Sequence, residues 1–319
     1  MVYPYFMATT AVVAPPSTAV RRITQFAWGT LAYNIAVIVW GAYVRATGAG
    51  AGCGNHWPLC NGEVIPRGAR IETLIEFSHR ASSGIAAILV LALLVLCWRA
   101  LPKRHPARVM AVAAAFLMLS EALLGAMLVK LALVAQDKSA MRAISLPIHS
   151  TNTMLLLAAI AATAVWLPLD GSSVRWNTKR LWLTIAALAM LLITAAAGVI
   201  AALGDTLFPN ATISADFSPT SHFLIRLRIL HPALALLSTI IVAVFVSLTT
   251  RTHERAKRFA GLVGIAIVTQ LFLGIMNIAL QAPVWLQMLH LGVADLVWIG
   301  TVLVAAESLV SAENFSLLA

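Results

Sequence analysis

Residues 71–98 read IETLIEFSHRASSGIAAILVLALLVLCW, and from Ala81 to Trp98 the stretch carries no charged side chain. A helix rises 1.5 Å per residue, so about 20 mostly apolar residues cross the hydrocarbon of a bilayer. The stretch is therefore predicted to be a membrane-spanning helix. Glu76, His79 and Arg80 stand near its start. An ionisable side chain inside a span is costly unless it is paired or does chemistry.

Comparable apolar windows recur at 23–45, 109–130, 143–168, 181–203, 223–249, 259–281 and 286–309. Eight spans make an all-α integral membrane protein. Composition agrees: of 319 residues, 61% are hydrophobic and 11% charged, and the mean hydropathy is +0.90. A soluble domain carries roughly a quarter charged residues. The net charge of +10 does not point to nucleic acid, because the basic residues form no single patch. They fall in short connections: Arg21 and Arg22; Arg99, Lys103, Arg104 and Arg108; Arg175, Lys179 and Arg180; Arg251, Arg255, Lys257 and Arg258. Basic residues stay on the cytoplasmic side. Both termini are therefore expected in the cytoplasm, with loops 46–70, 131–142, 204–222 and 282–285 facing outward. The first twenty residues lack a basic stretch ahead of an apolar core, so no cleaved signal peptide is expected.

The spans also repeat. Glu121-x-x-x-Gly125-x-Met127 in span three matches Gln270-x-x-x-Gly274-x-Met276 in span seven. Spans two and six carry His79 and His231; spans four and eight carry His149 and His290. The predicted organisation is a tail (1–22), a four-helix bundle (23–168), a cytoplasmic linker (169–180), a second four-helix bundle (181–310) and a tail (311–319). An even number of spans per half implies parallel duplication.

His105 and His253 fall in basic loops and read as solvated; His56 and His222 fall in outward loops. The other four histidines lie in apolar spans, all on even-numbered helices and within about three turns of the outward end. A lone intramembrane histidine is often only a hydrogen-bonding group between helices. Four in a repeated arrangement favour ligation. Two imidazoles at one depth of a bundle are what six-coordinate haem iron requires. No closely spaced Cys/His cluster supports zinc or copper.

The segment Gly41-Ala-Tyr-Val-Arg45-Ala-Thr-Gly48, followed by Cys53-Gly-Asn-His-Trp57-Pro-Leu-Cys60-Asn-Gly62, resembles the first outer loop of haem A synthases. Glu76-Phe-Ser-His79-Arg80 resembles that family's E-x-x-H-R motif, and His149, His231 and His290 match its other haem histidines. The resemblance departs at His56, where an acidic residue is common in the family. It implies a membrane oxidoreductase of the cell membrane that oxidises a ring methyl of haem O to formyl, giving haem A. It also implies a substrate haem on His79 and His149 and a b-type haem on His231 and His290. A haem O-producing farnesyltransferase is then a plausible partner, alongside the lipid bilayer and an unidentified electron donor.

Glu76 lies one helical turn before His79, on the same face. Beside a substrate methyl it would transfer protons or stabilise developing charge; otherwise it is an ion-pair partner of Arg80 or Arg45. In span six the same offset before His231 holds Arg228, with Arg226 nearby. Arginines suit haem propionates, or else they snorkel to the interface. An acid in one half and cations in the other assign catalysis to the first and a held cofactor to the second. Cys53 and Cys60 lie on the outward, oxidising side, where a disulfide is permitted and would be structural or exchange with thiols. Cys97 reads as packing. Glu121 and Asp295 serve helix pairing or a proton path. Two other classes compete: a b-type cytochrome that only carries electrons, and a transporter. Against the first stand Glu76 and the cysteine loop; against the second stands the expectation of unbroken spans.

Overall fold

The computed structural model describes residues 17–68, 70–169 and 178–310. It contains eight helices long and apolar enough to cross a membrane: α1 (Thr18–Ala46), α2 (Ile71–Ala100), α3 (Pro106–Lys130), α4 (Ala140–Trp166), α5 (Thr178–Leu207), α6 (Phe223–Thr250), α7 (Glu254–Ala279) and α8 (Val284–Ser308). The described residues hold no β-strand, only an isolated bridge between Cys60 and Glu63. The protein is an all-α, multi-pass membrane protein. Residues 1–16, 69, 170–177 and 311–319 lie outside the described set, and with them Arg175, most of the N-terminal tail and the linker, and the whole C-terminal tail.

Most helices overrun the hydropathic windows, because polar residues cap and prolong them. Ser17 Oγ accepts from Val20 N and starts α1 at Thr18, so Arg21 and Arg22 are helical rather than part of a tail. Ser139 Oγ accepts from Arg142 N and starts α4. The end of the bundle that carries residues 47–70, with a bond between Cys53 and Cys60, is the disulfide end. One span is broken, contrary to expectation. α6 opens with a turn of α-helix (Phe223–Arg226) and a 3-10 turn (Leu227–Ile229), and becomes regular at Leu230. His105 also departs from the solvated reading. It is buried, because its imidazole caps α3 by accepting from Ala107 N and meets Leu169 O at 2.8 Å.

Packing follows one scheme twice. α1 packs on α2, α2 on α3, α3 on α4, and α4 back on α1. α5, α6, α7 and α8 close the same ring. In such a ring α2 and α4 are diagonal partners, as are α6 and α8, and these four helices carry His79, His149, His231 and His290. Between the rings, α4 packs on α5 and α8, and α1 on α8. The centre shows in burial: 56% of the most apolar window is buried in α4 and in α8, against 28% or less in every other span. Trp166 Nε1 donates to Ala306 O at 3.2 Å and Trp298 Nε1 to Met154 O at 2.7 Å, both across this seam. Large apolar side chains such as Ile88, Phe116, Ile265 and Phe272 are exposed on outer faces, as bilayer-facing residues must be.

Candidate functional site

Each intramembrane histidine is seated on a glycine of the preceding helix. A Cβ built on Gly41 (α1) would lie 2.8 Å from His79 Cε1, and one on Gly198 (α5) 2.8 Å from His231 Cε1. The corresponding distances are 3.4 Å for Gly274 (α7) to His290 and 4.0 Å for Gly125 (α3) to His149. Only hydrogen at the closer positions lets the imidazoles lie against the neighbouring backbone, as small residues do at membrane helix contacts. Two of the histidines also adjoin prolines, Pro147 inside α4 and Pro232 at the start of α6. The prolines withhold backbone N–H groups there.

The second ring brings its pair together. The His231 and His290 rings are 6.1 Å apart between centroids, edge to face. Two metal–imidazole bonds of about 2 Å each, plus the ring radii, give roughly that separation. His231 Nδ1 meets Thr194 O at 3.1 Å, which orients the ring and leaves Nε2 for another partner. His290 Nε2 meets Gln270 Nε2 at 3.1 Å. In the first ring, His149 Nδ1 stands 3.5 Å from Glu121 Oε1. Nδ1 of His79, His149 and His290 is buried without a hydrogen bond. No group of three or more His, Cys, Asp or Glu that could hold a bare metal ion occurs among the described residues. Haem iron asks for less, since the porphyrin fills four positions and two imidazoles complete the shell. The His231–His290 pair fits that group.

Over the first ring lies the loop after α1. Cys53 and Cys60 form a disulfide, both buried. Asn61 and Gly62 turn the chain with φ of 54° and 86°, the backbone of a tight I′ hairpin turn. The ladder there is Cys60 N to Glu63 O and Glu63 N to Cys60 O. Gly52 sits against Glu72 and Thr73 so closely that a Cβ would lie 2.4 Å from Glu72 O, and its carbonyl accepts from Thr73 Oγ1 at 2.7 Å. The loop is thus docked on the first turn of α2.

Glu76 joins loop and helix. It is buried; Oε2 accepts from Cys53 N at 2.8 Å and Oε1 pairs with Arg80. Arg80 also donates to the carbonyls of His56 and Leu59. Of the two pairings open in the sequence, Arg80 is the one made. Arg45 goes elsewhere, crossing to the second ring with bonds to Ala202 O (2.8 Å), Thr206 Oγ1 (2.6 Å) and Gln287 Oε1 (2.9 Å). Arg228 stands between Asp205 and Asp216, at 2.9 and 2.5 Å, and reaches Thr212 O. Its guanidinium is committed, so a propionate there would displace carboxylates. Arg226 is exposed and keeps its donors. His56 is exposed in the loop, and the Asp295 carboxyl is buried with Oδ2 unpartnered.

Sequence reasoning missed three things: Gly41 and Gly198 as seats, Arg45 as a tie between rings, and Glu307, which pairs with Arg255 and Arg258 at the far end of the second ring. The seats did leave a signal, since Gly125 and Gly274 stand out in the repeat; the other two are visible only once the helix neighbours are known.

Residues 24–302 match the family model described as cytochrome oxidase assembly protein. A protoheme IX farnesyltransferase of Thermus thermophilus is 49% identical over 221 residues, which is 67% of this chain and 36% of that protein. A heme A synthase of Alkalihalophilus pseudofirmus is 44% identical over 90 residues, 28% of this chain and 30% of that one. Another, of Bacillus mycoides, is 42% identical over 92 residues, 29% and 30% respectively. The chain spans about a third of the length of these curated relatives.

Proposed function

Because the chain belongs to the cytochrome oxidase assembly protein family, we propose that it is a haem A synthase of the cell membrane, oxidising a ring methyl of haem O to formyl. Relatives named heme A synthase support the reading. The observation that carries it is the pair of diagonal histidine sets, each seated on glycine, with a carboxylate one turn from only one of them. His79 and His149 hold the substrate; His231 and His290 hold a resident haem b, which supplies one-electron transfer when bound.

The chain's own residues divide the work. The disulfide loop, fixed to α2 by Thr73, Glu76 and Arg80, shields one edge of the first ring from water. Turning methyl into formyl with water as the source of oxygen follows –CH3 + H2O → –CHO + 4 H+ + 4 e−, so the protons need an acceptor at the site and the electrons an external oxidant, which the resident haem would connect to the substrate when bound. Glu76 accepts protons, with Arg80 balancing its charge and holding it in place. In the second ring Thr194 orients His231, and exposed Arg226 is the cation that suits a haem propionate. Arg228, held by Asp205 and Asp216, braces the irregular start of α6. The basic connections put both termini in the cytoplasm and the disulfide end outside, where oxidation of Cys53 and Cys60 is favoured.

Haem O is supplied by farnesyl transfer to protohaem. A relative named for that transfer carries a segment like this chain over about a third of its length, which supports a working partnership with such an enzyme. The test is pigment extraction from cells with and without the protein, in a background that makes haem O. Haem A appearing only with the protein, and haem O accumulating without it, is the expected result. Unchanged haem A in cells lacking it would overturn the proposal.

A further inference from the structure

Glu121 on α3 occupies the position that Gln270 occupies on α7, four residues before the glycine that seats the histidine of the next helix. The two side chains face corresponding imidazoles through different ring nitrogens, Glu121 at Nδ1 of His149 and Gln270 at Nε2 of His290. Glu121 Oε1 is 3.5 Å from His149 Nδ1, which has no other partner. Gln270 Nε2 is 3.1 Å from His290 Nε2. The glutamate is held in place. Ser120 Oγ donates to Asn152 Oδ1 at 2.6 Å, which turns the Asn152 amide nitrogen onto Glu121 Oε2, also at 2.6 Å. Thr153 Oγ1 donates to Oε1 and is within reach of His149 O at 2.9 Å. Both carboxyl oxygens thus have a partner, Asn152 at Oε2 and Thr153 at Oε1.

We propose that Glu121 is a positioning residue for His149, fixing Nδ1–H toward the carboxylate and Nε2 toward iron, and that neutral Gln270 makes the two haem sites electronically unequal. This rests on the reading of the histidines as haem ligands. A carboxylate behind a ligating imidazole raises its basicity and holds its orientation. A negative charge there also favours ferric over ferrous iron, so Glu121 lowers the reduction potential of the first-ring haem. The consequence is directional: electrons released during oxidation in the first ring run toward the second.

The test is a reciprocal exchange in the full-length protein, loaded with iron protoporphyrin IX and followed by spectroelectrochemical titration and low-spin electron paramagnetic resonance. Glu121→Gln keeps the size of the side chain and can still bond Asn152 and Thr153. It is expected to raise the potential of the His149-dependent haem and to weaken its retention about 10–100-fold, the usual cost of losing such a partner. Gln270→Glu is expected to lower the potential of the His290-dependent haem. General loosening of the fold would not move the two sites in opposite directions. Unchanged potentials in both variants, or shifts of the same sign, overturn the inference while leaving the ligand assignment standing. His149→Ala serves as the parallel control: if it removes no haem, the ligand reading falls and Glu121's role with it.

Discussion

Replacing Gly198 by alanine puts a methyl carbon 2.8 Å from His231 Cε1 and 3.1 Å from Nδ1, closer than unbonded atoms tolerate. The ring must move, and its contact with Thr194 O at 3.1 Å goes with it. Overpacking costs about 1–3 kcal/mol and the lost hydrogen bond about 0.5–1.5 kcal/mol. The better helix propensity of alanine returns about 0.8–1.0 kcal/mol. The balance is a net loss of about 0.5–3.7 kcal/mol. Gly125→Ala is the matched comparison: its Cβ would meet His149 Cε1 at 4.0 Å, ordinary contact, so only the propensity gain of up to about 1 kcal/mol remains. Thermal unfolding of detergent-purified variants should rank Gly125→Ala at or above wild type, Gly274→Ala below it, and Gly41→Ala and Gly198→Ala lowest. In protein loaded with haem, Gly198→Ala should also broaden or lose the low-spin spectrum of the His231 site. Equal melting of Gly198→Ala and Gly125→Ala would refute the seat argument, because the steric difference between them is its whole content.

Three further outcomes are expected. Glu76→Gln should cut haem A formation by about 10²–10⁴, the typical worth of one acid–base group, while leaving the second-ring haem intact; Arg80→Gln should do less, since it removes the partner and not the acid. Equal damage from the two would make Glu76 a structural tie. His231→Ala and His290→Ala should each abolish a low-spin haem signal, and unchanged spectra in both would exclude the pair as axial ligands. Arg45→Met should lower the melting temperature, since charge-assisted bonds are worth about 1.5–3 kcal/mol each and three acceptors on α5 and α8 would lose theirs; melting like wild type would show that the seam relies on its apolar and tryptophan contacts alone.

The spans were legible because each is a long apolar run, and hydropathy reports the solvent directly. Their ends were less so. Capping by Ser17, Ser139 and the His105 imidazole is a local hydrogen-bond matter, to which hydropathy is blind. His105 shows the limit well: a histidine in a basic loop reads as solvated, yet a turn that needs an acceptor buries it. The four ligand candidates were visible because an imidazole in hydrocarbon demands a reason. Of their seats, Gly125 and Gly274 left a trace in the repeat, but Gly41 and Gly198 did not, since glycine is common in membrane helices and only packing shows which ones carry a ring. Arginine was the least predictable residue. Arg80, Arg45 and Arg228 all lie near the disulfide end; sequence offered Glu76 to either of the first two, and a haem propionate or the interface to the third. The choice between them depends on which helices are neighbours, and that is fixed by the ring order.

Ring order also explains how one scaffold can serve two purposes. Diagonal helices supply the imidazoles and their neighbours supply the seats, so a histidine can be held without any polar contact from its own helix. The remaining polar positions are then free to differ, and they do. The first ring has Glu121 behind His149 and Glu76 one turn from His79; at the equivalent places the second has Gln270 and Arg228. Two carboxylates in one ring are exchanged for an amide and a paired cation in the other. Only the first of these differences changes the local charge in the proposed sense, because Arg80 balances Glu76 while Asp205 and Asp216 together outweigh Arg228. Shared geometry seats the histidines alike, and the unshared side chains around them set the two rings apart.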